Sequence, residues 1–218
     1  MEVIINNFKS NNINIIDAKS THIVDSVKIG KNVTIHTNNI IKGNTIIEDN
    51  VVLMPNNYIC DSIIQNDAII EFSHIEQSTI CAGCKVGPFA RIRPKSKIGR
   101  NCKIGNFVEI KNATLGNNTK ASHLAYIGDC DIGDNCNVGC GVVFVNYNGK
   151  QKNRSVVGNN CFIGSNANII APVNIADDSY ICAGTTLTID TAPQDFVIGR
   201  CRETVKHNYA NKYKKENK

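Results

Sequence analysis

The sequence predicts an all-β protein, a parallel β-helix built from six-residue repeats. Three observations predict it. Unit after unit opens with an aliphatic residue at six-residue spacing along most of the 218 residues. Small residues, cysteine above all, recur at the fifth place of these units. Aromatic residues make up only 6% of the chain and Trp is absent, while Ile, Val and Asn abound, a composition for small repeated strands rather than a large aromatic core.

The units run in order. From Ile29 they read IGKNVT, IHTNNI, IKGNTI, IEDNVV and LMPNNY, and the pattern resumes at Ile80 as ICAGCK, VGPFAR, IRPKSK, IGRNCK and IGNFVE. LGNNTK and ASHLAY follow from Leu115, IGDNCN and VGCGVV from Ile132. VGNNCF, IGSNAN, IIAPVN, IADDSY, ICAGTT and LTIDTA continue from Val157, and units opening at Ile75, Ile110 and Ile127 are five long. Three units close one triangular coil of about 18 residues, so each aliphatic residue stacks on its counterpart one coil later. One coil cannot bury its own apolar face, and stability comes from stacked neighbours. Nearly nine coils at about 4.8 Å each predict a prism roughly 43 Å long.

Cys84, Cys102, Cys136 and Cys161 occupy fifth places, where a free thiol acts as a small hydrophobe. The pair Cys81 and Cys84 lacks a second pair to complete four ligands, so no structural metal is expected. From Phe144 to Val157 the spacing is 13, one unit plus seven residues, which predicts an extruded polar, basic loop over 146–155. Residues 1–20 read as an N-terminal cap, 21–194 as the repeat domain and 195–218 as a basic C-terminal extension.

Other classes drop out. No run of about 18 apolar residues exists for a membrane span. The opening MEVIINNFKSNN lacks the basic and apolar regions of a signal peptide, so a cytoplasmic location is expected. The net charge of +5 fits a small polyanion as well as nucleic acid, and no nucleic-acid partner is expected. A zinc-dependent hexapeptide hydratase would need three metal histidines, yet His22, His36, His74, His123 and His207 share neither spacing nor register.

Chemistry concentrates in Gly105 to Asp129, where Glu109, Lys111, His123 and Tyr126 fall within 18 residues. A base, a cation, a carboxylate and a phenol stand there on a rigid repeat. The motifs GPFAR, GNFVE, H-L-x-Y-x-G-D and NY-x-G, in that order, resemble the acetyltransferase domain of the bifunctional UDP-N-acetylglucosamine pyrophosphorylase/glucosamine-1-phosphate acetyltransferases, over essentially the whole chain. The glycine-rich nucleotide loop of their other half is missing, so uridylyltransferase activity is not expected, and a separate pyrophosphorylase partner stays open.

The resemblance implies a left-handed coil, against the right-handed rule for parallel crossovers, and a homotrimer with each site between subunits. It implies acetyl-CoA as co-substrate and His123 as proton acceptor. Arg93, Lys111 and Lys152 would hold a sugar phosphate, with Tyr126 and Asn137 touching the sugar. Asn146, Tyr147, Ser165, Ala183 and Arg200 would contact acetyl-CoA. Cys140 stands where the family has Ala beside the thioester, and reads as a small filler rather than a covalent relay. Asn148 replaces the Asp of NYDG.

The residue types suit that reaction. An amine attacking a thioester must be deprotonated, which a near-neutral imidazole does. Arg and Lys suit a phosphate, and backbone N–H groups in glycine-rich coils suit an oxyanion. Glu109 is expected to orient the imidazole or the protonated intermediate. Another amino-sugar phosphate or a nucleotide sugar as acceptor, or a non-catalytic trimeric paralogue, remain the alternatives.

Overall fold

The structure, a computed structural model, describes residues 11–213. Residues 1–10 of the expected cap and 214–218 of the expected extension lie outside the described residues. Short strands of two to four residues alternate around three faces, and every pairing between named strands is parallel. The faces are three sheets of eleven, ten and nine strands among the described residues, so the chain winds about ten coils rather than nearly nine. At about 4.8 Å per coil the prism is roughly 48 Å long.

The additional coils come from the ends and from shorter units. Asn14–Ile15 already pairs with Thr34–Ile35, inside the expected cap, and Phe196–Val197 pairs with Tyr180–Ile181, beyond the expected end of the repeat at 194. Nor does the pattern lapse before Ile80. Ile59, Ile64, Ile70, Ile75 and Ile80 are all fully buried, and the units there are mostly five residues long, with one of six from Ile64 to Ile70. A strand needs only two residues per face, so a five-residue unit shortens the corner and leaves the inward register intact.

The interior is a set of aliphatic columns. Ile92 faces Ile110 and Ile110 faces Ile127 on the second sheet, and Ile98 faces Leu115 and Leu115 faces Ile132 on the third. All six are buried. The fifth-place cysteines Cys84, Cys102, Cys136 and Cys161 are buried and unpaired. The Cys84 and Cys102 thiols donate to the carbonyls of Gly99 and Gly116 at 2.9 and 3.0 Å, so each also caps a corner of the next coil.

Most corners turn through a residue with positive φ, which explains the wealth of Asn. Asn and Asp tolerate this left-handed conformation better than other side chains. Between the third and first sheets, Asn118, Asn135 and Asn160 have φ of 58°, 58° and 56°. Their amides form a ladder up the prism: Asn118 Nδ2 donates to Asn135 at 3.1 Å, Asn135 to Asn160 at 3.2 Å and Asn160 to Asp178 at 3.1 Å. The corner between the first and second sheets is different. There Phe72, Phe89, Phe107 and Leu124 take φ of 41°, 58°, 57° and 47°, a conformation that large side chains rarely adopt. All four are exposed; the Phe72 and Phe89 rings meet at a tilt with centroids 4.5 Å apart, and Phe89 and Phe107 stack at 5.3 Å.

The loop leaves the coil without disturbing it. Asn137 faces Phe162, 25 residues on, while the strands on either side keep their inward register. No helix among the described residues is long and apolar enough to cross a membrane.

The Asn ladder yields a stability test. Asn135→Ala loses both the tolerated φ and two hydrogen bonds, and should cost about 1–2 kcal/mol. Asn135→Gly keeps the conformation and should cost less. Urea unfolding midpoints that ranked the two variants the other way would show that backbone conformation does not explain this residue.

Candidate active site

The register of the coil decides where each chemical residue stands. On the first sheet His123 lies one coil above Asn106. The same register places Cys140, Ser165 and Ala183 above it in turn, because Lys120 faces Asn137, Asn137 faces Phe162 and Phe162 faces Tyr180. His123, Cys140, Ser165 and Ala183 therefore form one line along the corner between the first and second sheets, roughly 14 Å from end to end. Arg200 joins its far end, Nη1 donating to the Ala183 carbonyl at 2.9 Å.

The exposed His123 imidazole meets Asn106, with 2.7 Å between Nδ1 and the amide Oδ1. An amide oxygen only accepts, so in the neutral ring this contact puts the proton on Nδ1 and leaves the lone pair on Nε2. Glu109 is not the group that meets the imidazole here: its strand lies on the second sheet and its carboxylate meets Arg93 at 2.8 Å. Asn106 was legible in principle, since it precedes His123 by one coil length.

The second sheet carries the remaining groups outward. Glu109 faces Tyr126 in register, and Arg93 and Lys111 occupy the strand ends at the opposite corner, between the second and third sheets. The strand between the two corners spans roughly 10 Å. At that far corner a cavity of about 520 Å³ is lined by Arg93, Lys111, Asn112, Asp129, Lys152 and Arg154, among others. Lys152 enters from the extruded loop, where Tyr147 and Lys152 form an antiparallel bridge.

At the base of this cavity sits Asp129, 6% exposed and absent from the residues singled out in the sequence. Its carboxylate accepts from Lys111 Nζ at 3.2 Å, from Asn112 Nδ2 at 2.6 Å and, through a short contact, from Asn146 Nδ2. Burial pushes its pKa up, but the hydrogen bonds from Asn112, Lys111 and Asn146 outweigh burial and hold it below the usual value. The one available signal was that it closes the H-L-x-Y-x-G-D motif. Lys111 and Lys152 stand side by side and move each other in opposite directions: the neighbouring Lys111 pushes Lys152 down, whereas Lys111 is held up by its place between Lys152 and Asp129.

The sequence-derived residues thus fall into two groups. Arg93, Lys111 and Lys152 converge on one cavity, with Glu109 and Tyr126 beside it. His123, Cys140, Ser165, Ala183 and Arg200 share the other corner. Asn146 and Tyr147 stand with the loop and not with that line, and Asn137 lies round the corner on the first sheet. Asn148 keeps the turn that an Asp would make, its side-chain oxygen accepting from the N–H of Lys150 and of Gln151 at 3.0 and 2.9 Å. No group of three or more His, Cys, Asp or Glu among the described residues is placed to hold a metal ion.

Asp129 makes the cavity sensitive to acid. Its folded pKa lies below the ordinary 3.8. Its contribution is therefore complete above that value and is lost as pH falls through the lower, folded value. Asp129→Asn should lower the melting temperature at pH 7, at a cost of roughly 1–3 kcal/mol, and differ less from the parent near pH 3. A gap as wide at pH 3 as at pH 7 would contradict this account.

Comparison with known proteins fits this geometry. Residues 74–143 match the family model described as the GMPPB C-terminal domain, and residues 154–188 match the bacterial transferase hexapeptide (six repeats). The chain is 51% identical over 200 residues to the bifunctional protein GlmU of Caldicellulosiruptor saccharolyticus, covering 92% of this chain and 43% of that protein. It is 45% identical over 202 residues to GlmU of Clostridium botulinum, covering 93% and 44%. The chain thus spans less than half the length of these relatives. Among solved structures, Arabidopsis UDP-N-acetylglucosamine acyltransferase superposes with a TM-score of 0.65 at 15% identity, covering 81% of this chain and 68% of that one. LpxA from Bacteroides fragilis superposes at 0.55 and 21% identity, covering 82% and 69%. These likenesses show the fold, a left-handed parallel β-helix. By sequence and by fold, the chain belongs with the hexapeptide-repeat β-helix part of the bifunctional GlmU proteins.

Proposed function

We propose that the chain transfers the acetyl group of acetyl-CoA to the 2-amino group of glucosamine 1-phosphate, feeding UDP-N-acetylglucosamine synthesis in the cytoplasm. One observation carries the reading. A base and a cluster of cations stand on opposite edges of one sheet face, and across the roughly 10 Å of strand between them the long side chains of Arg93, Lys111 and Lys152 would reach back toward His123 to meet an amine and a phosphate on adjacent sugar carbons. The sugar would lie across Tyr126, with its phosphate toward Arg93, Lys111 and Lys152. The thioester arm would run along Cys140, Ser165 and Ala183 toward Arg200, and Cys140 would fill space beside it.

His123 Nε2 would accept a proton as the amine nitrogen bonds to the thioester carbonyl carbon. The tetrahedral intermediate then collapses, the C–S bond breaks, and the sulfur leaves and is protonated. Asn106 fixes the tautomer, so the lone pair faces the acceptor before it arrives. Holding amine and thioester together supplies much of the rate. Glu109 keeps Arg93 aligned for the phosphate.

Two features support a homotrimer. The loop with Asn146 and Tyr147 and the line of Ser165 and Ala183 lie at different corners of one chain, so a single acetyl-CoA would meet both sets only between neighbouring copies. The exposed ridge of Phe72, Phe89, Phe107 and Leu124 beside His123 also calls for a partner, and a closed threefold of this chain would cover it.

Kinetics test the reading. His123→Ala should lower turnover by roughly a hundredfold or more with acetyl-CoA binding nearly intact, and Asn106→Ala should lower it by a smaller factor. Thiol release should strongly favour glucosamine 1-phosphate over glucosamine or the 6-phosphate. Equal rates on all three would sink the phosphate argument, activity confined to a nucleotide-linked amino sugar would move the assignment there, and failure to bind acetyl-CoA would leave a scaffold. Light scattering should report a trimer, and a stable monomer would count against the shared site.

A further inference from the structure

We infer that Arg154 is a positioning residue that clamps the neck of the extruded loop, so that Lys152 stands beside Lys111 in the phosphate cavity. The inference rests on the proposed phosphate role of that cavity. Arg154 lines the cavity wall, yet its guanidinium is committed to protein groups. Nε donates to Asp131 Oδ2 at 2.6 Å, and Nη2 makes a short second contact to Asp131 Oδ1. Nη1 donates to the Asn112 carbonyl at 2.8 Å, and Nη2 also reaches the Cys130 carbonyl at 3.1 Å.

These partners lie on successive coils. Thr114 faces Asp131 and Asp131 faces Val156, so one side chain ties three turns of the prism at the point where the loop rejoins it. A planar, bidentate cation is the side chain suited to this task. The other side of the neck is fixed separately. Asn146 is buried against Asp129, and the Asn153 N–H closes the neck on the Asn146 carbonyl at 2.7 Å.

A clamp is needed because two ammonium groups side by side repel. Arg93 and Lys111 have carboxylate partners in Glu109 and Asp129, whereas Lys152 forms no ion pair among the described residues. Without a bound phosphate, repulsion from Lys111 favours a loop swung outward. Arg154 opposes that swing two residues from Lys152. It thus keeps the cavity preorganised for an anion rather than assembled by it.

The experiment measures binding of inorganic phosphate by calorimetry in the full chain and in five variants, together with steady-state kinetics on glucosamine 1-phosphate. Arg154→Ala should weaken phosphate binding about tenfold, close to the loss in Lys152→Ala, with the KM for acetyl-CoA unchanged. Arg154→Lys should recover part of that loss. The double variant Lys152→Ala with Arg154→Ala should be no weaker than Lys152→Ala alone, because Arg154 acts through Lys152. Asp131→Asn, which removes the clamp's partner outside the cavity, should weaken phosphate in the same direction and serves if Arg154→Ala does not fold. Additive losses, unchanged phosphate binding in the Arg154 and Asp131 variants, or no phosphate binding by the parent chain would overturn the inference. Phosphate results as expected with no acetylation of glucosamine 1-phosphate would retire the proposed reaction and leave the clamp standing.

Discussion

Everything in this molecule depends on in-register stacking of aliphatic side chains from one coil to the next. A single coil encloses too little apolar surface to fold, so each turn is stable only because Ile92, Ile110 and Ile127, and their counterparts on the other faces, sit above one another. That constraint also builds the site. With the backbone period fixed by the core, a side chain at a corner has its neighbours one coil up and one coil down, whatever their chemistry. His123 meets Asn106 for this reason, and Cys140, Ser165 and Ala183 fall into line above it for the same reason.

The corners show how the chain meets the cost of this regularity. Most turns use a residue with positive φ, and along one edge Asn and Asp satisfy it while bonding to each other. Along the edge beside His123 the residues are Phe and Leu, which gain nothing from that conformation locally. Strain of this kind persists where surroundings or function demand it. The ridge these residues form is apolar, exposed and next to His123, so the locally unfavourable choice makes sense as part of a contact surface.

The cavity is governed by a similar compromise. Three cations at one corner would repel, and the structure answers with buried Asp129 beneath Lys111 and with Glu109 against Arg93. Two of the three positive charges are thus already paired, and the net attraction for an anion is smaller than the residue types alone imply. Removing either carboxylate would raise the positive charge of the cavity while loosening the side chains that hold it.

The repeat, the all-β class, the inward cysteines and the extruded loop were legible in the sequence because they follow from a linear period. The period appears in the residue types themselves. His123, Arg93, Lys111 and Lys152 were legible too, through motifs whose order matches a known family. The number of coils was not fully legible, because five-residue units and strands near the ends keep the inward register without keeping the spacing. Nor were the partners. Glu109 is near His123 in the chain but stands on another face, while Asn106 is farther away and touches it. Asp129 showed only as the close of a motif and Arg154 not at all, since what makes Asp129 a hub and Arg154 a clamp is the crossing of coils from Asn112 to Asn146 and Arg154. The sequence by itself determined the period and the chemical inventory, because both are written residue by residue. Only the tertiary structure decided which groups share a corner, because that depends on how many residues each coil spends before it returns.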